Sequence, residues 1–428
     1  MPRRVRLSMS LPNNPRTMPR ALRLVRNCLL IILVFVAGWI ANTVRSKYQM
    51  NLRHDAQAAE GSSAQRYFHS SQVGISLRVV HDVVMWTRRT GEIPIYRIPV
   101  LTYTPRGHLV AIVEGRKEAP RDASSKVFAV KRSTDGGATW SSSEQWIVDD
   151  GKPPKDVCSN LGTVIVDDTT ATIFLMYVYC GFCPSASLML MNSTNDGITW
   201  GRPRNITDIV GKNYVTHPSP GHGIQKKLNP AKGRLIVCGH GFHDGSGLVL
   251  LLSDDHGVTW RHGAFVPSVP FKNSTEGDFD PDECQPVELP DGSIYLVVRN
   301  QLRYRYNCKM IMRSFDGGET LPQNYTYLDQ ALIEPKITSG VWYHNGTMFY
   351  SGPNSKTERR SLHIRWSEDH GRTWTPGTEI WDDLAGYSTL TMLPRDREHL
   401  YIMYERGTRK YYDEIAFSKI EYIHREES

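Results

Sequence analysis

One eight-residue sentence recurs five times in this chain of 428 residues, and it restricts the fold more than any other feature. It reads STDGGATW from Ser133, STNDGITW from Ser193, SDDHGVTW from Ser253, SFDGGETL from Ser314 and SEDHGRTW from Ser367. The first serines are separated by 60, 60, 61 and 53 residues. A fixed period of that size marks a repeated supersecondary unit, each copy one blade of a propeller. The box explains its own recurrence: Ser and Asp side chains bond nearby backbone N–H groups, Gly accepts a positive φ, and Trp anchors the turn with a large apolar ring. The runs that enter the boxes, KVFAVKRS, SLMLMNS, GLVLLLS, KMIMRS and SLHIRWS, are short and apolar or alternating, as strands entering a turn should be. A calcium loop is a poor reading, because each copy offers one or two carboxylates where a hard cation wants six or more oxygens.

Five boxes give five blades. A sixth is expected from the strand-like runs YSTLTML, HLYIMYE and EIAFSKI between Glu379 and Ile423, completed by an N-terminal strand near Arg78 to Trp86. The expected class is therefore all-β, a six-bladed propeller of about four short strands per blade, over residues 73–428.

The formal charge of +7 suggests nucleic acid until it is divided along the chain. Residues 1–60 hold ten Lys/Arg and two Asp/Glu, so the folded part is close to neutral and carries no nucleic-acid-reading motif. The basic region 1–26 precedes an uncharged segment, 27–44, whose apolar centre runs from Leu29 to Ala41. Positive charge ahead of an apolar run keeps the N-terminus cytosolic and sends the rest across a membrane. The segment reads equally as a cleaved signal peptide or as a type II membrane anchor. Residues 45–72 are polar and without period, a linker. Sequons at Asn192, Asn205, Asn273, Asn324 and Asn345 are glycosylation candidates in an oxidising lumen. Cys180 and Cys183 have redox-motif spacing without the strand–helix context, which leaves a local disulfide or two thiols. Histidines and cysteines form no zinc spacing.

Arginines stand in apolar strand contexts in three blades: Arg97 in YRIP, Arg299 ending IYLVVR, and Arg365 in LHIRW. The Y-R-I-P arginine followed by repeated Asp boxes resembles the sialidase (neuraminidase) family, and the stretches GHLVAIVEGRK, GRLIVCGHG, DFDPDECQP and RNQ look most like the animal lysosomal sialidase. The resemblance covers about residues 83–420.

It implies an exo-α-sialidase with an arginine triad at Arg97, Arg299 and Arg365 holding the carboxylate of sialic acid, a task suited to planar guanidinium forks. It implies Tyr387 as nucleophile, Glu283 as its base and Asp122 as acid/base. A neutral phenol can approach a centre that already bears a carboxylate, where an anionic nucleophile meets repulsion. Arg116 is expected near the sugar's ring hydroxyls, and Glu405 is expected to orient Arg97. Cys284, beside Glu283, reads as packing or a disulfide. The polar loop KEAPRDASSK, which carries Asp122, is expected to be mobile and to work at acidic pH. No metal or organic cofactor is required.

Implied substrates are sialylated oligosaccharides, glycoproteins and glycolipids, and implied partners are a protective serine carboxypeptidase (cathepsin A) and β-galactosidase. Localisation is expected in the lysosome, with the cell surface as the alternative for an anchored form. The C-terminus EYIHREES lacks the tyrosine-based sorting ending of the lysosomal enzyme. Two other functions use much of the same residue set: a sialic-acid-binding propeller without turnover, and a trans-sialidase.

Overall fold

The computed structural model describes residues 75–424 apart from 90, 152–156, 181–185, 211–214, 243–245 and 271–276. The basic leader, the apolar segment, the linker, Asn273 and Cys183 lie outside them. Among the described residues no helix is long and apolar enough to cross a membrane.

The described part is an all-β propeller. Its first sheet contains Ile95–Tyr103, Leu109–Arg116, Lys126–Ser133 and Gln145–Asp149. The second contains Ser159–Asp167, Thr172–Tyr179, Ser187–Ser193 and Arg204–Asn205, and the third Val215–Pro218, Leu235–Phe242, Ser246–Ser253 and Arg261–Pro267. Pro281–Glu288, Ile294–Asn300, Cys308–Ser314 and Tyr327–Ile333 make the fourth. In each the strands pair antiparallel in chain order, the simplest path for a chain turning by hairpins.

The sheets do not separate into six. Four are blade-sized, the short strands Gly221–His222 and Ile224–Gln225 adding to the second and third, and the other seven described strands form one sheet. The cause is Thr378–Thr391, whose first half pairs with Arg360–Ser367 and whose second half pairs with His399–Gly407. The strand runs unbroken through Asp382, Asp383 and Gly386, so the ladder continues from one side to the other. At the far edge Ile75–Thr87 pairs with Glu414–His424, joining the start of the described chain to its end.

All five boxes adopt the same hydrogen-bonded form. In the third, Ser253 Oγ donates to Asp255 Oδ1 at 2.9 Å, Gly257 N–H donates to Ser253 Oγ at 2.9 Å, and Thr259 Oγ1 donates to Asp255 Oδ2 at 2.5 Å. The second box keeps the clip with Asn195, whose Nδ2 donates to Thr199 Oγ1 at 2.8 Å. Side-chain and backbone bonds from Thr139 draw the Asp135 carboxyl down to about 2.

The boxes also join the sheets. A methyl added to Gly137 would lie 2.2 Å from Phe417, one on Gly257 2.6 Å from Phe174, and one on Gly371 2.7 Å from Tyr295. Each of these neighbours belongs to the preceding sheet, and for the first box the preceding sheet is the seven-stranded one. The first and last parts of the chain therefore meet, in a core that includes Leu101, Ala111, Val113, Met403 and Phe417. Each of the larger of these side chains stabilises by about 1.5–3 kcal/mol.

Gly137→Ala should accordingly cost about 3 kcal/mol or more, since φ is +83° and Phe417 occupies the space of the methyl. Gly91→Ala, at φ +75° with nothing within 4 Å, should cost only about 1–2 kcal/mol. Urea midpoints of the two variants check this; equal midpoints would mean that the close approach contributes nothing.

Candidate active site

Bulges aim the side chains of the site. Register shifts fall between Arg97 and Val100, between Pro281 and Cys284, and between Ala385 and Ser388, and these bracket or abut Arg97, Glu283 and Tyr387. A bulge breaks the two-residue alternation of a strand and turns a side chain off the sheet face. At the first of them Ile98 sits at φ 58°, a left-handed conformation that a β-branched residue enters only under constraint from its surroundings.

Glu405 supplies that constraint. Fully buried, it accepts Arg97 Nε at 2.6 Å and Ile98 N–H at 3.0 Å on Oε1, and Tyr387 N–H at 3.1 Å on Oε2. One carboxylate thus fixes a guanidinium and two backbone segments at once. Gly386 makes room for it, because a methyl there would stand 2.0 Å from Glu405 Oε2. Burial disfavours the Arg97 charge, but Glu405 and neighbouring tyrosines outweigh it and hold the guanidinium firmly protonated.

Tyr387 and Glu283 form a direct pair. The phenol lies 2.7 and 2.8 Å from the two carboxylate oxygens, while Arg299 Nη1 donates to Glu283 Oε2 at 2.6 Å and to the phenol oxygen at 2.9 Å. Burial, then the Glu283 charge, raises the Tyr387 phenol well above its ordinary value. Burial pushes Glu283 upward too, but Arg299 and the bonds from Tyr387 and Arg299 prevail and its carboxyl is lowered. The resting pair is therefore a phenol whose proton already faces an ionised carboxylate. A disulfide between Cys284 and Cys238 ties this strand to the third sheet.

Arg365 is not part of this cluster. Its guanidinium donates to Asn354 Oδ1 at 2.7 Å and to the Thr375 carbonyl at 3.2 Å. The arginine beside Tyr387 is instead Arg359, whose guanidinium carbon lies 5.4 Å from the Tyr387 ring centre and 4.8 Å from that of Tyr411. The reason is length along the strand: six residues at about 3.3 Å each carry Arg365 roughly 20 Å from the end that reaches the site. The adjacent pair Arg359-Arg360, just ahead of an apolar run, was the signal to read. Tyr411 was also missed; it stacks between Arg359 and Arg97, 5.1 Å from the latter.

A second group surrounds Asp122. Arg116, 1% exposed, donates to Glu114 Oε2 at 3.0 and 2.8 Å and to Asp122 Oδ1 at 2.7 Å. Glu114 in turn accepts the backbone N–H of Leu161 in the next sheet. Burial works to raise Asp122, yet Arg116, Arg97 and Lys126 outweigh it and lower its carboxyl. With its side chain 66% exposed, Asp122 faces solvent and bonds Arg116 rather than the Tyr387–Glu283 pair.

Of the sequons, Asn192, Asn205, Asn324 and Asn345 are exposed. Cys180 is disulfide-bonded, while Cys158 and Cys308 are buried thiols. Among the described residues no group of three or more His, Cys, Asp and Glu side chains converges on a metal position.

The family model of the BNR repeat-like domain matches residues 142–400. The chain belongs to this family, that of the sialidases. The sialidase of Micromonospora viridifaciens is 31% identical over 353 residues, covering 74% of this chain and 50% of that protein. Sialidase-4 of Mus musculus is 27% identical over 282 residues, 57% of this chain and 54% of its own. The chain spans only half to 60% of the first relatives it matches. Among solved structures, the Hadza microbial sialidase Hz136 has a TM-score of 0.64 at 24% identity, with 77% of this chain and 66% of that chain covered. The intramolecular trans-sialidase of Ruminococcus gnavus has a TM-score of 0.60 at 16% identity, with 78% and 95% covered. These likenesses show the fold.

Proposed function

We propose that this sialidase-family chain is a retaining exo-α-sialidase that releases terminal sialic acid from oligosaccharides, glycoproteins and glycolipids. The observation that carries the reading is the Tyr387 phenol held by Glu283 and Arg299 between the guanidinium groups of Arg97 and Arg359. Three cations around one phenol suit a substrate that brings its carboxylate to the carbon under attack.

In the first step the Tyr387 oxygen bonds to the anomeric carbon as its proton passes to Glu283, and the departing glycosidic oxygen takes a proton from Asp122. In the second, water attacks that carbon and gives its proton to Asp122, while the phenol oxygen leaves and recovers its proton from Glu283. Two displacements retain the configuration. Arg97, Arg299 and Arg359 clamp the carboxylate, and Arg116 reaches the sugar ring beside Asp122.

The depressed Asp122 carboxyl gives the pH dependence a sign. In the free protein the acid form is populated only below the ordinary carboxylate range, so kcat/KM should rise from neutral toward acidic pH. A bound substrate carboxylate offsets the field of Arg97 and moves Asp122 back upward. Profiles of wild type and Asp122→Asn on a sialyllactose check this. The limb should flatten in the variant, and a wild-type maximum well above pH 7 would contradict the assignment.

The seven-stranded sheet reads as two blades sharing Thr378–Thr391, which makes six. Exposed sequons and disulfides favour an oxidising, lysosomal or cell-surface setting. A signal or anchor at Leu29 to Ala41 and the carboxypeptidase and galactosidase partners rest on the sequence and its resemblance alone. Transfer to a sugar hydroxyl instead of water uses the same residues. Release of free sialic acid from 3′-sialyllactose, with and without added lactose acceptor, separates hydrolysis, transfer and mere binding.

A further inference from the structure

The loop that carries Asp122 is bolted down from below. It joins Leu109–Arg116 to Lys126–Ser133, and its polar composition suggests a free loop. Instead, the Asp122 carbonyl receives three donors: Lys126 Nζ at 2.5 Å, Asn160 Nδ2 at 3.1 Å and the Cys158 thiol at 3.4 Å. Lys126 Nζ also donates to the Ser124 carbonyl at 3.0 Å, and Ser124 Oγ to the Ala119 carbonyl at 2.9 Å. Arg116 adds a bond to the Pro120 carbonyl.

Lys126 is wholly buried, in a strand whose next two residues are Val127 and Phe128. A lysine in such a place is costly unless its ammonium is well bonded, and a hairpin alone has no need of one. Two of its bonds go to the loop and a third to Cys158 Sγ beneath it. Asn160 reaches the same carbonyl from the second sheet, so the anchoring spans two blades.

Resting on the sialidase reading above, we infer that Lys126 and Asn160 are positioning residues for Asp122: by fixing its peptide plane they aim an otherwise solvent-facing carboxyl at the leaving oxygen. The root of the side chain is held while its head stays accessible to substrate. Proton delivery depends on placement to a fraction of an ångström, and a loose carbonyl would let the carboxyl wander.

Leaving-group dependence separates this role from a structural one. A sialyllactose leaves as a poor alkoxide and needs the acid, whereas an aryl sialoside such as the 4-methylumbelliferyl glycoside leaves readily without it. With the full-length chain, Lys126→Met and Asn160→Ala should each lower kcat on 3′-sialyllactose by about 10- to 100-fold. KM for 3′-sialyllactose should stay within about threefold of wild type, and so should kcat/KM on the aryl sialoside, which reports only the steps up to departure of the aglycone, before Asp122 acts as base. Asp122→Ala should show the same split more strongly. Equal losses on both substrates, or no loss on either, would overturn the inference and leave the sialidase reading standing. A folded wild type that releases sialic acid from neither substrate would overturn both. Should Lys126→Met not fold, Asn160→Ala at a half-buried position decides the matter.

Discussion

Tyr387→Phe should reduce sialic acid release by about a thousandfold or more while leaving the protein folded and able to bind the sugar. The substitution removes one oxygen. The ring keeps its place in the core cluster that includes Ile98 and Ile337, and Glu283 keeps its 2.6 Å bond to Arg299, so no buried charge loses its partner. The stability change should be within about 1–2 kcal/mol, the worth of the hydrogen bonds lost. What disappears is the atom that bonds to the anomeric carbon. The loss should fall on kcat, with the affinity for a sialic acid analogue held within a few-fold, and calorimetric titration beside turnover measures both. A fall in affinity as steep as the fall in kcat would make Tyr387 a binding residue instead.

The second large effect separates two arginines. Arg359→Ala removes one guanidinium beside Tyr387, and a charged hydrogen bond to the substrate carboxylate is worth about 1.5–3 kcal/mol, so KM should rise about 10- to 150-fold. Arg359 also tempers the rise in the Tyr387 phenol, so kcat should fall as well. Arg365→Ala should leave KM within about twofold, because that side chain bonds Asn354 and Thr375 instead. Steady-state kinetics of the two variants decide between the positions. A KM effect at Arg365 and none at Arg359 would restore the assignment made from sequence.

That exchange shows where the sequence stops being legible. The boxes, the strands entering them and the pairing of an N-terminal strand with the C-terminal one follow from local pattern and spacing, and the structure has them where the pattern puts them. Arg97, Arg299, Glu283, Tyr387 and Glu405 come together as the motif resemblance implies. The bulges that aim them leave no trace in the alternation of apolar residues. The contact between Arg97 and Glu405 spans 308 residues of chain, beyond any local rule. Arg365 misled because an arginine inside an apolar strand looks purposeful, whereas it lies near the end of Arg360–Ser367 remote from Arg359, the arginine that neighbours Tyr387. The expected six separate sheets failed for a similar reason: nothing in Thr378–Thr391 announces that one strand serves two neighbours. The loop of Asp122 looked mobile by composition, and only the fold reveals the buried lysine beneath it.

In the proposed mechanism Tyr387 forms a bond to sialic acid, and that bond can be trapped. A 3-fluorosialyl fluoride, whose ring fluorine slows departure of the sugar from the enzyme, should add one fluorosialyl mass to the intact protein. Peptide mapping should place the addition on the segment containing Tyr387, and the Tyr387→Phe variant should take up none. A label on Glu283 or on another residue, or turnover that continues in the variant, would contradict the account.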